Sequence, residues 1–132
     1  MKPIEIDTKF KIPEELLWDL VLPIEDVNIS ELSNNFDIPY LEHEDTDDWN
    51  MSISDLVDNF DNEPFHASQA MKADLKYPIE LYYFRGNWII LDGVHRLTKA
   101  IKTGKTIIKV RRIPEKEIRR IISENSNKIR LY

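Results

Sequence analysis

The chain has 132 residues, 42% of them hydrophobic, with three Trp, five Tyr and five Phe, which is enough for one domain with a real core and too little for two comfortable ones. It has no cysteine, so disulfides, thiolate metal sites and cysteine nucleophiles are excluded, and a reducing cytoplasm suits it. The net charge of −6 conceals a split, −15 over residues 1–80 and +9 over residues 81–132; two oppositely charged surfaces that face each other, a basic site for an anionic partner, and two solvated faces are the alternatives.

Met1 to Asp7 lacks the apolar core of a signal peptide, and no apolar run reaches the roughly 18 residues that span a bilayer. A cytoplasmic protein with no membrane partner is the expectation. Pro13 to Leu20 predicts a short helix with Leu16, Leu17 and Leu20 on one face, ended by Pro23. From Ile24 to Tyr40 the pattern is mixed, with extended stretches expected at 27–29 and 38–40. Glu42 to Asp48 reads as an acidic exposed loop. Ser52-Ile53-Ser54-Asp55 is a capping-box pattern opening a helix through Leu56, Val57 and Phe60. A second short helix is expected from Ala67 to Leu75, ending before Tyr77-Pro78.

The second half is more sharply patterned. Ile79 to Phe84 is rich in strand formers, Arg85-Gly86-Asn87 is a turn signal, and Trp88 to Leu91 fits a buried strand, so the pair predicts a hairpin. After Asp92-Gly93 the period becomes helical, with Val94, Leu97, Ala100 and Ile101 on one stripe that Gly104 stops. Thr106 to Ile113 is a further strand, and Pro114 opens a last helix carrying Ile118, Ile121 and Ile122. Together these elements predict a compact α+β domain over residues 1–132, with an acidic front half at 1–76, a core at 77–117 and a C-terminal helix and tail at 118–132.

The junction Leu91-Asp92-Gly93-Val94-His95-Arg96 carries the chemistry. A strand ends, glycine allows a sharp turn, and a helix begins whose first N–H groups lack internal partners and sit at the positive end of the dipole. An anion placed there gains hydrogen bonds and charge stabilisation together. Arg96 adds a forked guanidinium, His95 an imidazole, and Lys99 lies on the same side of the helix. Asp92 has three alternatives beside a phosphate: capping the helix, holding Mg²⁺, or acting as a base. The cap is the ordinary outcome for such an aspartate.

The stretch from about Tyr77 to Glu117, roughly a third of the chain, resembles the core of the ParB/sulfiredoxin-like superfamily. The matching elements are Pro78-Ile79, Gly93-Val94-His95-Arg96, Lys99-Ala100 and Gly104. More narrowly, it is similar to stand-alone bacterial proteins with an "ILDGxHRLxKA…GK…VRR" pattern. The resemblance implies a mixed sheet with a strand-turn-helix anion site. It also implies phosphate contacts from Gly93, Val94, His95 and Arg96, and a nucleotide ligand: ParB proteins bind and hydrolyse CTP, sulfiredoxins use ATP, and a related serine kinase uses ADP. Val94 stands where sulfiredoxin has its nucleophilic Cys, so that activity is not expected. About fifteen residues follow Glu117, too few for the ParB DNA-binding domain, and partition function is not expected either. The kinase's catalytic Glu lies outside the motif and cannot be placed among the front-half acids.

The expectation is therefore a nucleotide- or phosphate-binding protein with NTPase or phosphotransferase chemistry, Asp92 and His95 being the catalytic candidates. Gly93, Val94, His95, Arg96, Lys99 and Arg111 are the binding candidates, with ATP, ADP or CTP and Mg²⁺ as cofactors. The alternative is a non-enzymatic interaction or nucleic-acid-associated module, and the net negative charge disfavours direct DNA binding. Arg111 is preferred over Arg112 because it shares a strand face with Lys109. His66 is within possible reach of the turn, although a lone His is more often a cap or surface residue. His43 in the acidic loop lacks the spacing of a calcium site. Trp88 is the tryptophan closest in sequence to the turn and a candidate for stacking a base.

Overall fold

The computed structural model describes residues 10–11, 17, 19–41, 51–124 and 130–131. Its strands are β1 (Phe10–Lys11), β2 (Glu25–Asn28), β3 (Ile79–Phe84), β4 (Asn87–Asp92), β5 (Ile107–Ile113) and β6 (Arg130–Leu131). Its α-helices are α1 (Ile53–Asp58), α2 (Pro64–Lys72), α3 (Val94–Lys102) and α4 (Glu115–Glu124), with 3-10 turns at Ile29–Asn35 and Phe60–Asn62. Four strands make a mixed sheet in the order β2-β5-β3-β4. In it β3 runs antiparallel to β4 and parallel to β5, and β5 runs antiparallel to β2. The β1 and β6 strands pair separately, Phe10 opposite Leu131. The fold is α+β, in line with the element order read from the sequence.

Local chemistry explains most of these boundaries. Arg85 and Gly86 both have positive φ, 47° and 84°, the combination that a two-residue hairpin turn needs to match the twist of its strands. At α1 the capping box forms in full: Asp55 N–H donates to Ser52 Oγ at 3.1 Å, and Ser52 N–H donates to Asp55 Oδ2 at 3.0 Å. That helix stops at Asp58, and Phe60 belongs to the 3-10 turn that follows. Pro64 sits in the first turn of α2, where a missing N–H costs nothing. The helix therefore begins ahead of the expected Ala67 and ends at Lys72.

Of the two extended stretches expected at 27–29 and 38–40, only the first belongs to a strand. The chain tightens at Ile29, where Asn28 N–H donates to the Glu31 carboxylate at 3.0 Å. The loop expected at 42–48 and most of the helix expected at 13–20 lie outside the described residues.

The sheet is covered on both faces. On one, Ile79, Leu81, Ile90, Ile108 and Val110 pack with Ile53, Leu97 and Ala100 from the helices and with Leu32. Full burial of each large aliphatic side chain contributes about 1.5–3 kcal/mol. On the other, Leu17, Leu20, Ile113, Ile118 and Ile121 form a second cluster, and Tyr82, Ile89 and Ile38 a third. The outer edge of β4 is closed by side chains. Ile90 N–H is met by Asn35 Oδ1 at 3.2 Å and by the Tyr40 hydroxyl at 3.0 Å. The Trp88 carbonyl accepts from the amides of Asn34 and Asn35, each at 3.1 Å. Asn35 is fully buried in this role.

Candidate functional site

The last residue of β4, Asp92, pairs in register with Glu80 at the start of β3, next to a break in register between Glu80 and Leu81. Gly93 then takes φ 116° and ψ 19°, outside what an L side chain readily adopts. A Cβ there would lie 3.0 Å from Ile79 Cγ1 and 3.2 Å from Ile79 Cα. Glycine is thus required twice, for the backbone angle and for the close approach to β3. The helix closes its first bond from Leu97 N–H to the Gly93 carbonyl at 3.0 Å. The N–H groups of Val94, His95 and Arg96 precede that bond and have no acceptor within the helix.

Arg96 curls back over the turn. Its Nη1 donates to the Pro78 carbonyl, and its Nη2 donates to Asp92 Oδ2 at 3.1 Å. Asp92 is therefore an ion-pair partner one turn ahead of Arg96. The expected helix cap does not form, because Gly93 occupies the cap position.

Asp92, Arg96 and Pro78 line a cleft of about 430 Å³ together with Tyr77 and Ile24, and Glu80 and Arg111 line its wall. Tyr77 and Ile24 are more than half exposed at its rim. Inside, Arg111 Nε reaches the two Glu80 carboxylate oxygens at 3.1 and 2.9 Å, and its Nη2 donates to Glu80 Oε1 at 2.9 Å. Its Nη1 donates to the Leu20 carbonyl at 2.7 Å and its Nη2 also to the Leu17 carbonyl at 2.9 Å. Burial pushes the Glu80 carboxyl above its usual range, and the Arg111 guanidinium pulls it back. Arg111 is thus a tie between the sheet and the Leu17–Leu20 segment, with four of its five N–H donors engaged in described bonds.

His95 turns away from this cleft toward α2. Its Nε2 lies 3.0 Å from Nδ1 of His66, and His66 is buried. Burial first, then the neighbouring His66, lower the His95 pKa to about 4 against a weaker opposing pull from Asp92. At neutral pH His95 therefore offers a hydrogen bond and no charge. Lys99 also points to α2: its Nζ donates to the Ala73 carbonyl at 2.7 Å, a cation at the negative end of that helix.

The structure brings Asp92, Gly93, Arg96 and Arg111 together and sends His95 and Lys99 to α2. Val94 packs at the edge of the core. Lys99, Lys109 and Arg111 do not converge on one basic site, since each is bonded to a different part of the fold. Bases of the second half instead meet acids of the first: Lys109 with Asp26 at 3.2 Å, Arg112 with Glu25 at 3.1 Å, Arg111 with Glu80 at 2.9 Å. Two of the pairs bridge neighbouring strands β2 and β5, which is one source of the charge split. Trp88 lies at the far end of β4 from Asp92, under the Arg112 guanidinium at 4.9 Å and against the Tyr83 ring edge at 5.3 Å.

Sequence reasoning missed Glu80, Tyr77, Pro78 and Ile24. Glu80 had a signal, a lone carboxylate inside an apolar strand, with arginines inside the later strand β5. Among the described residues no group of three or more His or carboxylate side chains is close enough to hold a metal ion, and no helix is long and apolar enough to cross a membrane. No family model, no curated protein and no solved structure matches the chain.

Proposed function

We propose that the cleft at the start of α3 binds a phosphorylated small molecule, nucleotides foremost, as the ParB/sulfiredoxin-like resemblance of the turn implies. One observation carries the reading: Arg96 is held in the cleft wall, beside a helix N-terminus, with only two of its five N–H donors engaged in described bonds. A guanidinium fixed in place loses little freedom on binding, and its bonds to an anion are the strong, charge-assisted kind. Arg111, with four of its five donors engaged in described bonds and little exposed surface, keeps Glu80 and the cleft wall in position instead.

The residues present fit an anion better than a resident metal, because both cleft carboxylates already face a guanidinium. A phosphate that takes the Arg96 donor now given to Asp92 frees that carboxylate beside the phosphoryl group. There it serves as a base or as one ligand of an incoming Mg²⁺–nucleotide. A cytoplasmic location and phosphoryl-transfer or NTPase chemistry are parts of this proposal. The second reading, a non-enzymatic interaction module, is favoured by the mutual pairing of all four charged cleft residues.

Thermal shift and isothermal titration with ATP, ADP, CTP and inorganic phosphate, each with and without Mg²⁺, test the proposal, since a ligand of the folded state raises its stability. Loss of a charged hydrogen-bonding group costs about 1.5–3 kcal/mol, so Arg96→Ala should weaken binding about 10- to 150-fold. Arg96→Lys should restore part of it. Unchanged affinity in Arg96→Ala, or no stabilisation of the wild type by any of the four, refutes the reading.

A further inference from the structure

The cleft beside Arg96 is larger than a phosphoryl group needs. Its volume of about 430 Å³ falls in the range of about 300–1,000 Å³ that holds whole small molecules. Four of its lining residues are the paired charges Glu80, Asp92, Arg96 and Arg111, and the rest of the lining is Ile24, Tyr77 and Pro78. Ile24 and Tyr77 stay more than half exposed, so apolar surface stands open in the same cleft as the guanidinium.

Tyr77 is braced against the anion site. Arg96 Nη1 donates to the carbonyl of Pro78, the residue that follows Tyr77, and the trans peptide between them holds the two Cα atoms about 3.8 Å apart. The proline ring confines Tyr77 to extended backbone. On the other side, Tyr77 N–H donates to the Asp74 carbonyl at 3.2 Å, and Lys76 N–H donates to Asp74 Oδ1 at 3.0 Å. Lys76 Nζ stands over the Tyr77 ring, 5.1 Å from its centroid, and among the described residues no other ring packs on it.

We propose that Tyr77, with Ile24 beside it, is the specificity-determining surface of the cleft, and that it stacks the base of a nucleoside phosphate whose phosphoryl group meets Arg96. The inference rests on the anion reading above and assigns the organic half of the ligand to named residues. A ring at an open rim suits a nucleobase, whose faces are apolar and whose polar edges stay in water. The charged side chains are engaged with one another, so recognition is by ring face rather than by base edge, and purines and pyrimidines are both accepted.

Isothermal titration of the whole protein near pH 7.5 with AMP, CMP, ribose 5-phosphate, phenyl phosphate and inorganic phosphate tests this. AMP and CMP should bind about 5- to 150-fold tighter than ribose 5-phosphate, the range that one stacked base supplies. Phenyl phosphate should fall below AMP, because its ring is smaller and held close to the phosphate. Tyr77→Ala should bring AMP to the level of ribose 5-phosphate and leave inorganic phosphate within about twofold, since that ligand has no ring. Tyr77→Phe keeps the ring and should hold AMP within about threefold. Removal of a side chain so exposed should leave the thermal midpoint nearly unchanged, which checks that the variants are folded. AMP no tighter than ribose 5-phosphate, or an equal loss of AMP and inorganic phosphate in Tyr77→Ala, overturns the inference while the anion site stands. Phenyl phosphate as tight as AMP overturns the choice of a nucleobase. Failure of all five ligands to bind the wild type overturns the function proposed above and this inference with it.

Discussion

Replacing Gly93 by alanine tests whether the turn is built by close approach or by backbone angle alone. At φ 116° an L residue is strained, and the left-handed region by itself costs roughly 1–2 kcal/mol. The added Cβ would also meet Ile79 at 3.0 Å from Cγ1 and 3.2 Å from Cα. The Cγ1 contact is with a side chain that is fully buried, and the Cα belongs to the start of β3, so neither yields easily. Overpacking of this kind costs about 1–3 kcal/mol. Gly93→Ala should therefore destabilise by about 2–5 kcal/mol in all. Gly104→Ala supplies the control, because φ there is 77° and a Cβ would meet nothing within 4 Å; it should cost about 1–2 kcal/mol. Urea unfolding followed by Trp fluorescence measures both, with the slope checked for constancy. Equal losses in the two variants would refute the close-approach argument. If Gly93→Ala remains folded, Arg96 should lose its registry with the Pro78 carbonyl, and ligand affinity should fall with it.

Removing the Arg111 side chain in Arg111→Met leaves the Glu80 carboxylate buried without its partner and should cost about 3–5 kcal/mol in the same unfolding assay; adding Glu80→Gln should recover part of that loss. The pH dependence of stability has a definite sign at His95, whose pKa is lowered in the folded protein to about 4. The unfolded chain takes up that proton near pH 6.5, so the stabilisation is complete above that pH and is lost as the pH falls toward about 4. The urea midpoint should drop over this window in the wild type, and drop less in His95→Gln. Arg85 carries positive φ in the hairpin turn, so Arg85→Asn should stabilise by up to about 1 kcal/mol, read as a higher midpoint.

The second half of the chain is legible because each element there carries its own local signal. Strand formers, a turn dipeptide, a glycine and a helical stripe follow one another from Ile79 to Ile113, and each boundary falls within a residue or two of its expectation. The front half is harder to read because its residues serve the rest of the fold. Val27 lies in a strand, but Asn35 is set by the bonds of β4, more than fifty residues away, and no local periodicity could show that. At the site, the turn itself is visible in the sequence, whereas the direction of each side chain is not. His95 and Lys99 share a side of α3, as spacing suggests, but that side faces α2. Arg111 shares a face with Lys109, but its guanidinium is claimed by Glu80 and by two carbonyls of the Leu17–Leu20 segment. Charge composition leaves an anion site open as one reading, where three of the second-half bases are in fact paired with acids of neighbouring strands.

The side chains of Asn34, Asn35 and Tyr40 along β4 have a consequence for how molecules of this protein meet one another. An uncovered strand edge is a template: a second chain can add to it and be a template in turn, which is how soluble proteins polymerise into fibres. Here the amide of Asn35 imitates a neighbouring strand, offering an acceptor to Ile90 and a donor to Trp88. An incoming backbone would have to displace a buried, fully bonded side chain before gaining any bond of its own. At the opposite edge, β2 is only four residues long, a short template, and its Glu25 and Asp26 are tied to Arg112 and Lys109 of β5. Both rims of the sheet thus resist growth, and crowding of the native protein should yield separate particles rather than ordered threads.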